Sequence, residues 1–194
     1  MQLVLLFFIA YIFGSIPFGF LVARFKGVDI RKVGSGNIGG TNVSRILGIK
    51  WGVLVAILDI TKGFLPSLFV LSFLTNPWKI VIILYAPIIG HVFPIWLGFK
   101  GGKGVACLFG VLCALLTWFE ILILIILWYV ILKLTKIMSL VNILLSLLLP
   151  VVLWILYKHP AYFIFGVSID ILIWYTHRSN IKRLIKGKEL KLSL

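Results

Sequence analysis

From Val141 to Tyr157 the chain reads VNILLSLLLPVVLWILY, and from Ile121 to Leu132 it reads ILILIILWYVIL, with no charged side chain in either run. Runs of this kind leave few folding solutions. Inside lipid every backbone N–H and C=O must be satisfied within the segment, so such a stretch crosses as a helix. The composition agrees: 62% of the 194 residues are hydrophobic, and the mean hydropathy is +1.18. That is more apolar surface than a soluble domain of this size could cover. The fold class is therefore all-α, a polytopic helical membrane protein, read as a single integral-membrane domain over residues 1–194. A crossing helix needs about 20 apolar residues. Spans fall near 2–23, 52–75, 78–97, 104–118, 120–134, 138–157 and 160–177, about seven transmembrane helices, with the fourth and fifth short enough to be tilted or partial. The stretch from Met1 lacks a basic leader and reads as a first span rather than a removable signal. Cys107 and Cys113 both lie in an apolar segment and read as small packing residues, not as a disulfide or metal pair.

Lysine and arginine placement sets the orientation, because cytoplasmic loops carry the excess of positive charge. With seven spans, sixteen of the 19 basic residues fall on one side, two (Lys79 and Lys158) on the other, and Lys62 within a span. The amino terminus should face out and the carboxyl terminus the cytoplasm. The formal charge of +14 needs no nucleic acid to explain it. Juxtamembrane lysines facing anionic membrane lipids, or a site for anionic substrates, account for it.

Three polar segments then share the cytoplasmic side. The first is VGSGNIGGTNVSR, residues 33–45. Gly34, Gly36 and Gly39 match a dinucleotide-binding spacing, but no strand precedes them, so that reading fails. The physical use of the glycines survives: without Cβ, they let consecutive N–H groups curl around an anion. Ser35, Asn37, Thr41 and Asn42 add short polar side chains, and Arg45 offers a fork for phosphate oxygens. The second is GFKGGKGVA, residues 98–106, where Gly101, Gly102 and Gly104 surround Lys103 ahead of a helix start, a place that favours anions. The third is the tail HRSNIKRLIKGKE.

Gly14–Pro17, Lys62–Pro66 and Gly90–Pro94 are expected to interrupt the first three spans and suggest a cleft. Asp59 and Lys62 lie on one face of span two and read as a mutual ion pair that shapes the helix. In span seven, Asp170, Trp174, His177 and Asn180 recur as one stripe. Five acids are scattered along the chain without a cluster for Mg²⁺, and H-E-x-x-H, G-x-S-x-G and H-x-x-x-x-D patterns are missing. No metal and no cofactor are expected.

Taken in order, GSIPFG, GSGNIGGTNVSR, DITKGFLP, GHVFPIWLGFKGGKGVA and HRSNIKRLIKGKE resemble the motifs of the bacterial acyl-phosphate:glycerol-3-phosphate acyltransferases. The resemblance implies a multi-pass enzyme of the bacterial inner membrane with its site facing the cytoplasm. It implies transfer of an acyl group from acyl phosphate to the 1-hydroxyl of glycerol 3-phosphate, giving lysophosphatidic acid and phosphate in phospholipid synthesis. The donor is then neither acyl-CoA nor acyl carrier protein.

An acyl phosphate already carries a good leaving group, so direct attack without a covalent acyl-enzyme is expected. Arg45, Lys103 and the 34–42 backbone should hold phosphate, and Ser35 should donate near the reacting carbonyl. His177 and Asn180 should orient glycerol 3-phosphate, with Ser139 and Asn142 nearby. The proton is expected to go to the substrate's own phosphate, with His177 as the other candidate base. A monomer is expected. The rival reading is a membrane transporter for phosphate-bearing anions, since broken helices beside cationic sites serve transport too.

Overall fold

A computed structural model describes residues 1–191. All the regular structure among them is helical, and the chain falls into two compact units, residues 1–115 and the stretch from Leu116 onward.

The first unit begins with α1 (Gln2–Gly14) and α2 (Phe18–Phe25), separated by the expected break. The Ser15 N–H bonds the Tyr11 carbonyl and its hydroxyl the Ile12 carbonyl, which closes α1. Pro17 then opens α2. A short 3-10 turn (Ile30–Lys32), α3 (Gly40–Leu47), α4 (Ile49–Leu71), α5 (Pro77–Val92), a second 3-10 turn (Ile95–Leu97) and α6 (Val105–Leu115) follow. The Gly90–Pro94 signal is met, since α5 stops two residues before Pro94. The Lys62–Pro66 signal is not: α4 runs unbroken through Pro66. One proline removes a single N–H from a 23-residue helix, and the other backbone bonds of the helix hold it together.

Close approach of α4 and α6 depends on two glycines. A Cβ on Gly63 would strike the Cys107 carbonyl, and one on Gly110 the Ile60 carbonyl. With no hydrophobic drive between helices in lipid, small residues that let backbones touch are the means of packing. Cys107 is fully buried there and donates its Sγ–H to the Pro87 carbonyl at 3.3 Å, and both cysteines are free. The Asp59–Lys62 ion pair is present at 2.8 Å. A second small core, of Ala23, Ile30, Ile38, Val43 and Val55, fastens the polar segment after α2 onto α4.

The second unit comprises α7 (Trp118–Thr135), α8 (Met138–Tyr157), α9 (Pro160–Thr176) and α10 (Arg178–Ile185). Thr117 and Glu120 form a capping box at the start of α7: Glu120 accepts from the Thr117 N–H and hydroxyl. Along α7 the side chains of Leu122, Ile123, Ile126 and Val130 are exposed, so the outward face is apolar where a soluble helix would be polar. Leu149 and Leu153 of α8 and Phe165 and Ile169 of α9 are buried, and the two helices lie against each other. On α9 the expected single stripe divides. His177 and Asn180 are buried whereas Trp174 is exposed, and Asp170 turns to the Ser146 hydroxyl of α8, 2.7 Å away. Ile173, not Trp174, shares the buried side.

Five stretches among the described residues are long and apolar enough to cross a membrane: 2–25, 49–71, 77–97, 118–135 and 138–157. Two shorter apolar helices, Val105–Leu115 and Pro160–Thr176, accompany them.

Candidate active site

In the first unit the site is built around one asparagine. Asn42 sits in the first turn of α3, 2% exposed, and all of its amide is used. Its Oδ1 accepts from the Ser35 N–H at 2.9 Å. Its Nδ2 donates to the carbonyls of Asn37, Val33 and Ile30 at 2.9, 3.1 and 3.3 Å. One buried side chain thereby folds the glycine segment back on itself. Gly34 and Gly36 take φ of +61° and +70° there, a region open to glycine at little cost. Asn37 closes the next turn by accepting from the Gly39 N–H.

Several N–H groups of this segment are spent internally: those of Ser35, Gly36, Gly39 and Asn42. The continuous curl of N–H groups expected across 34–42 is therefore not what forms. A helix leaves its first N–H groups without a partner four residues back, and for α3 these belong to Gly40 and Thr41. Arg45 lies four residues beyond Thr41 on the same face. Ser35 and Arg45 are exposed, and Thr41 is half-buried. Arg31 is committed elsewhere, paired in two bonds of 2.9 Å with Asp29 and stacked 4.7 Å over Phe20. The Arg31 hydrogen bond holds the Asp29 carboxyl down at about 2, and Asp29 in turn raises Arg31.

The second glycine turn folds onto the end of α5. The Gly101 N–H donates to the Val92 carbonyl at 3.0 Å and the Gly102 N–H to the His91 carbonyl at 3.1 Å. Gly102 and Gly104 are buried, and Lys103 between them is half-buried, directly before α6.

In the second unit His177 closes α9 and opens α10, 1% exposed. Its Nδ1 lies 2.8 Å from the Ile173 carbonyl. A carbonyl can only accept, so Nδ1 carries the proton, and in a neutral ring Nε2 becomes an acceptor. Glu189 ties α8 to α10: its Oε1 accepts from Ser139 of α8 at 2.9 Å and from the Asn180 amide of α10, and its Oε2 from Arg183 of α10 at 2.7 Å. Burial would push this carboxyl up, but those three bonds, Arg183 first, bring it below the ordinary glutamate value. Asn142, one turn on from Ser139, is half-buried.

Glu189 ends the quoted tail motif; the sequence leaves open whether it is catalytic or a helix-end partner of Lys186 or Arg183, and the structure pairs it with Arg183.

The fold defines an all-α integral-membrane protein, with glycine-rich basic turns in its first unit and a cluster of Ser139, Asn180, Arg183 and Glu189 in its second. Comparison with known proteins narrows the class. A family model described as glycerol-3-phosphate acyltransferase matches residues 4–187. The glycerol-3-phosphate acyltransferase of Aquifex aeolicus (strain VF5) is 42% identical over 200 residues, covering 97% of this chain and 98% of that protein. That of Endomicrobium trichonymphae is 44% identical over 188 residues, covering 96% and 94%. The crystal structure of PlsY (YgiH), an integral membrane glycerol 3-phosphate acyltransferase, in its glycerol 3-phosphate form superposes with a TM-score of 0.93 at 40% identity, covering 100% of this chain and 96% of that one. Its lysophosphatidic acid form gives 0.90 at 39%, with the same coverage. This chain belongs to the glycerol-3-phosphate acyltransferase family.

Proposed function

We infer that the chain carries out its reaction, acyl transfer from acyl phosphate to glycerol 3-phosphate to give lysophosphatidic acid, by direct attack of the glycerol 1-hydroxyl on the acyl carbon. No acyl-enzyme forms. The hydroxyl oxygen bonds to the carbonyl carbon, the tetrahedral oxyanion collapses, and phosphate leaves with the electron pair of the broken C–O bond. A mixed anhydride needs no nucleophile from the protein, so positioning and charge stabilisation are what the side chains supply.

The observation that carries this reading is the Asn42 network. It fixes the 34–42 segment against α3 so that Ser35, Thr41 and Arg45 are presented from a rigid base. Arg45, Lys103 and the amino-terminal turn of α3 hold phosphoryl oxygens, and Ser35 donates toward the reacting carbonyl. The remaining loop residues, Gly34, Gly36, Asn37, Gly39 and Asn42, shape this cradle, as Gly101, Gly102 and Gly104 shape the Lys103 turn. His177 and Asn180 orient glycerol 3-phosphate, with Ser139 and Asn142 beside them. The substrate phosphate receives the proton. The His177 Nδ1 is held by the Ile173 carbonyl, which orients the ring. The acyl chain enters from lipid. An apolar groove along α1, lined by Phe8, Ile9, Ile12, Phe13 and Ile16, reaches the break before α2.

The five long helices and the two shorter ones together make seven crossings, with the amino terminus outside and the site facing the cytoplasm. The enzyme is a multi-pass monomer of the bacterial inner (plasma) membrane, its whole chain serves one reaction, and no metal takes part.

Purified protein supplied with labelled glycerol 3-phosphate and EDTA tests the reaction, with palmitoyl phosphate, palmitoyl-CoA and no donor in parallel. Lysophosphatidic acid from palmitoyl phosphate alone is expected. Product from palmitoyl-CoA would overturn the donor assignment. Donor-independent counterflow of glycerol 3-phosphate in sealed vesicles would add transport. Replacing His177 with Ala should raise the KM for glycerol 3-phosphate by about a hundredfold, the scale of a lost positioning contact. A collapsed kcat at unchanged KM would instead make His177 the base.

A further inference from the structure

The reaction as described leaves one buried charged cluster without a task. Asp59 and Lys62 of α4 and His91 of α5 have side chains only 1–3% exposed. Lys62 Nζ lies 2.8 Å from Asp59 Oδ1 and also donates to the Ile16 carbonyl, in the break between α1 and α2, at 2.7 Å. His91 Nδ1 stands 3.6 Å from the same Asp59 oxygen, with no hydrogen-bond partner of its own among the described residues. Ionisable groups at such depth are costly and are functional candidates by default. An ion pair needed only to shape α4 would require neither the link to Ile16 nor the histidine.

What lies against the histidine gives the cluster its meaning. The glycine turn is laid directly on it: the Gly102 N–H bonds the His91 carbonyl, and a Cβ on Gly102 would strike the imidazole Nε2. Gly101, Gly102 and Gly104 have no side chains with which to pack this turn, so it rests on what lies against its backbone: Pro94 and the carbonyls of His91 and Val92 at Gly101, the imidazole at Gly102, and Ile88 and Val92 at Gly104. The imidazole is the support next to Lys103, and its other nitrogen faces Asp59, itself tied by Lys62 to the helix break.

We propose that Asp59 and His91 are positioning residues for the Lys103 turn. Asp59, held by Lys62, sets the imidazole, and the imidazole sets where Gly101–Lys103 meet a phosphoryl group. The inference rests on the reading of this turn as a phosphate-binding element. The chemistry recognised is a phosphoryl dianion, whether it belongs to acyl phosphate, glycerol 3-phosphate or released phosphate.

Steady-state kinetics of the purified enzyme test it, with KM measured separately for each substrate to identify the source of the phosphoryl group, and with inhibition by inorganic phosphate. Lys103→Met serves as the reference for the turn itself. His91→Ala is expected to raise the same KM as Lys103→Met, and the inhibition constant for phosphate, by about tenfold or more with a much smaller change in kcat, the pattern of lost binding. His91→Phe, which keeps a ring under the turn, should recover part of that loss. Gly102→Ala should raise the same KM, and joining it to His91→Ala should add little, because the new methyl then has the space of the ring; non-additivity marks direct coupling. Should His91→Ala fail to fold, His91→Phe and Gly102→Ala carry the test, both shifting KM and the phosphate inhibition constant. Variants of His91 that lower only the melting temperature or the yield, with every KM unchanged, would overturn the inference. So would fully additive effects of His91→Ala and Gly102→Ala. If Lys103→Met moves KM and the His91 variants do not, the turn still binds phosphate and only the positioning role falls. If Lys103→Met leaves both constants unchanged, the turn reading fails and takes this inference with it.

Discussion

Asn42 shows how much of a glycine-rich loop can hang on one side chain. Its amide satisfies four backbone groups of the 30–37 segment, and losing a partner for a buried polar group costs about 1–3 kcal/mol each. Asn42→Ala should therefore lower the melting temperature in detergent and raise the KM for a phosphate-bearing substrate, even though the side chain faces its own loop. Glu189 plays the same part in the second unit. Its three bonds lower its affinity for a proton, so its contribution to stability is complete above the ordinary glutamate value of 4.5 and is lost as pH falls through its depressed folded value. Glu189→Gln should be less stable than the parent at neutral pH, and the gap should close on acidification. Melting curves of both proteins from pH 7 to pH 3.5 would show it, and a gap independent of pH would mean that the charge of Glu189 contributes nothing.

Helix contacts decide the next level. The α4–α6 pair is held at backbone distance by Gly63 and Gly110, and Gly110→Ala would push a methyl onto the Ile60 carbonyl. Overpacking of this kind costs about 1–3 kcal/mol. A matching loss of thermal stability is expected, and an unchanged melting temperature would show that α6 can shift without penalty. Because α4 also carries Asp59 and Lys62 and α6 starts at the Lys103 turn, activity should fall before the protein unfolds. Proline signals behave differently within one unit. Pro17 follows a capped serine and a glycine, and α1 ends there. Pro66 stands mid-helix with intact neighbours, and α4 continues.

For the molecule as a whole, the basic residues make orientation testable. In a Cys107→Ser, Cys113→Ser background, a cysteine at Lys32 should react with an impermeant maleimide only from the cytoplasmic side, and one at Lys79 only from the other. Both positions are exposed. Labelling of both from the same face would overturn the seven-crossing topology. A chain of this kind has to expose apolar side chains to lipid and polar ones to its substrates. The separation is visible in α7, whose outward leucines and isoleucines contrast with the buried asparagine and histidine of the clusters.

The sequence by itself determined the class and, through its ordered motifs, the family. Uncharged runs can only be helices in lipid. The helical class and the Asp59–Lys62 pair follow from local composition and spacing, which a helix reports directly. Tertiary structure decided the rest. That Asn42 would be buried with its amide bonded to its own loop depends on Ile30, Val33, Ser35 and Asn37 arriving at it. That Trp174 is exposed while His177 is buried is not reported by the spacing along α9. The bond network of Glu189 to Ser139 and the approach of His91 to Asp59 join residues 50 and 32 positions apart. No periodicity connects such pairs, because their contact is set by how helices pack and not by how any one helix turns.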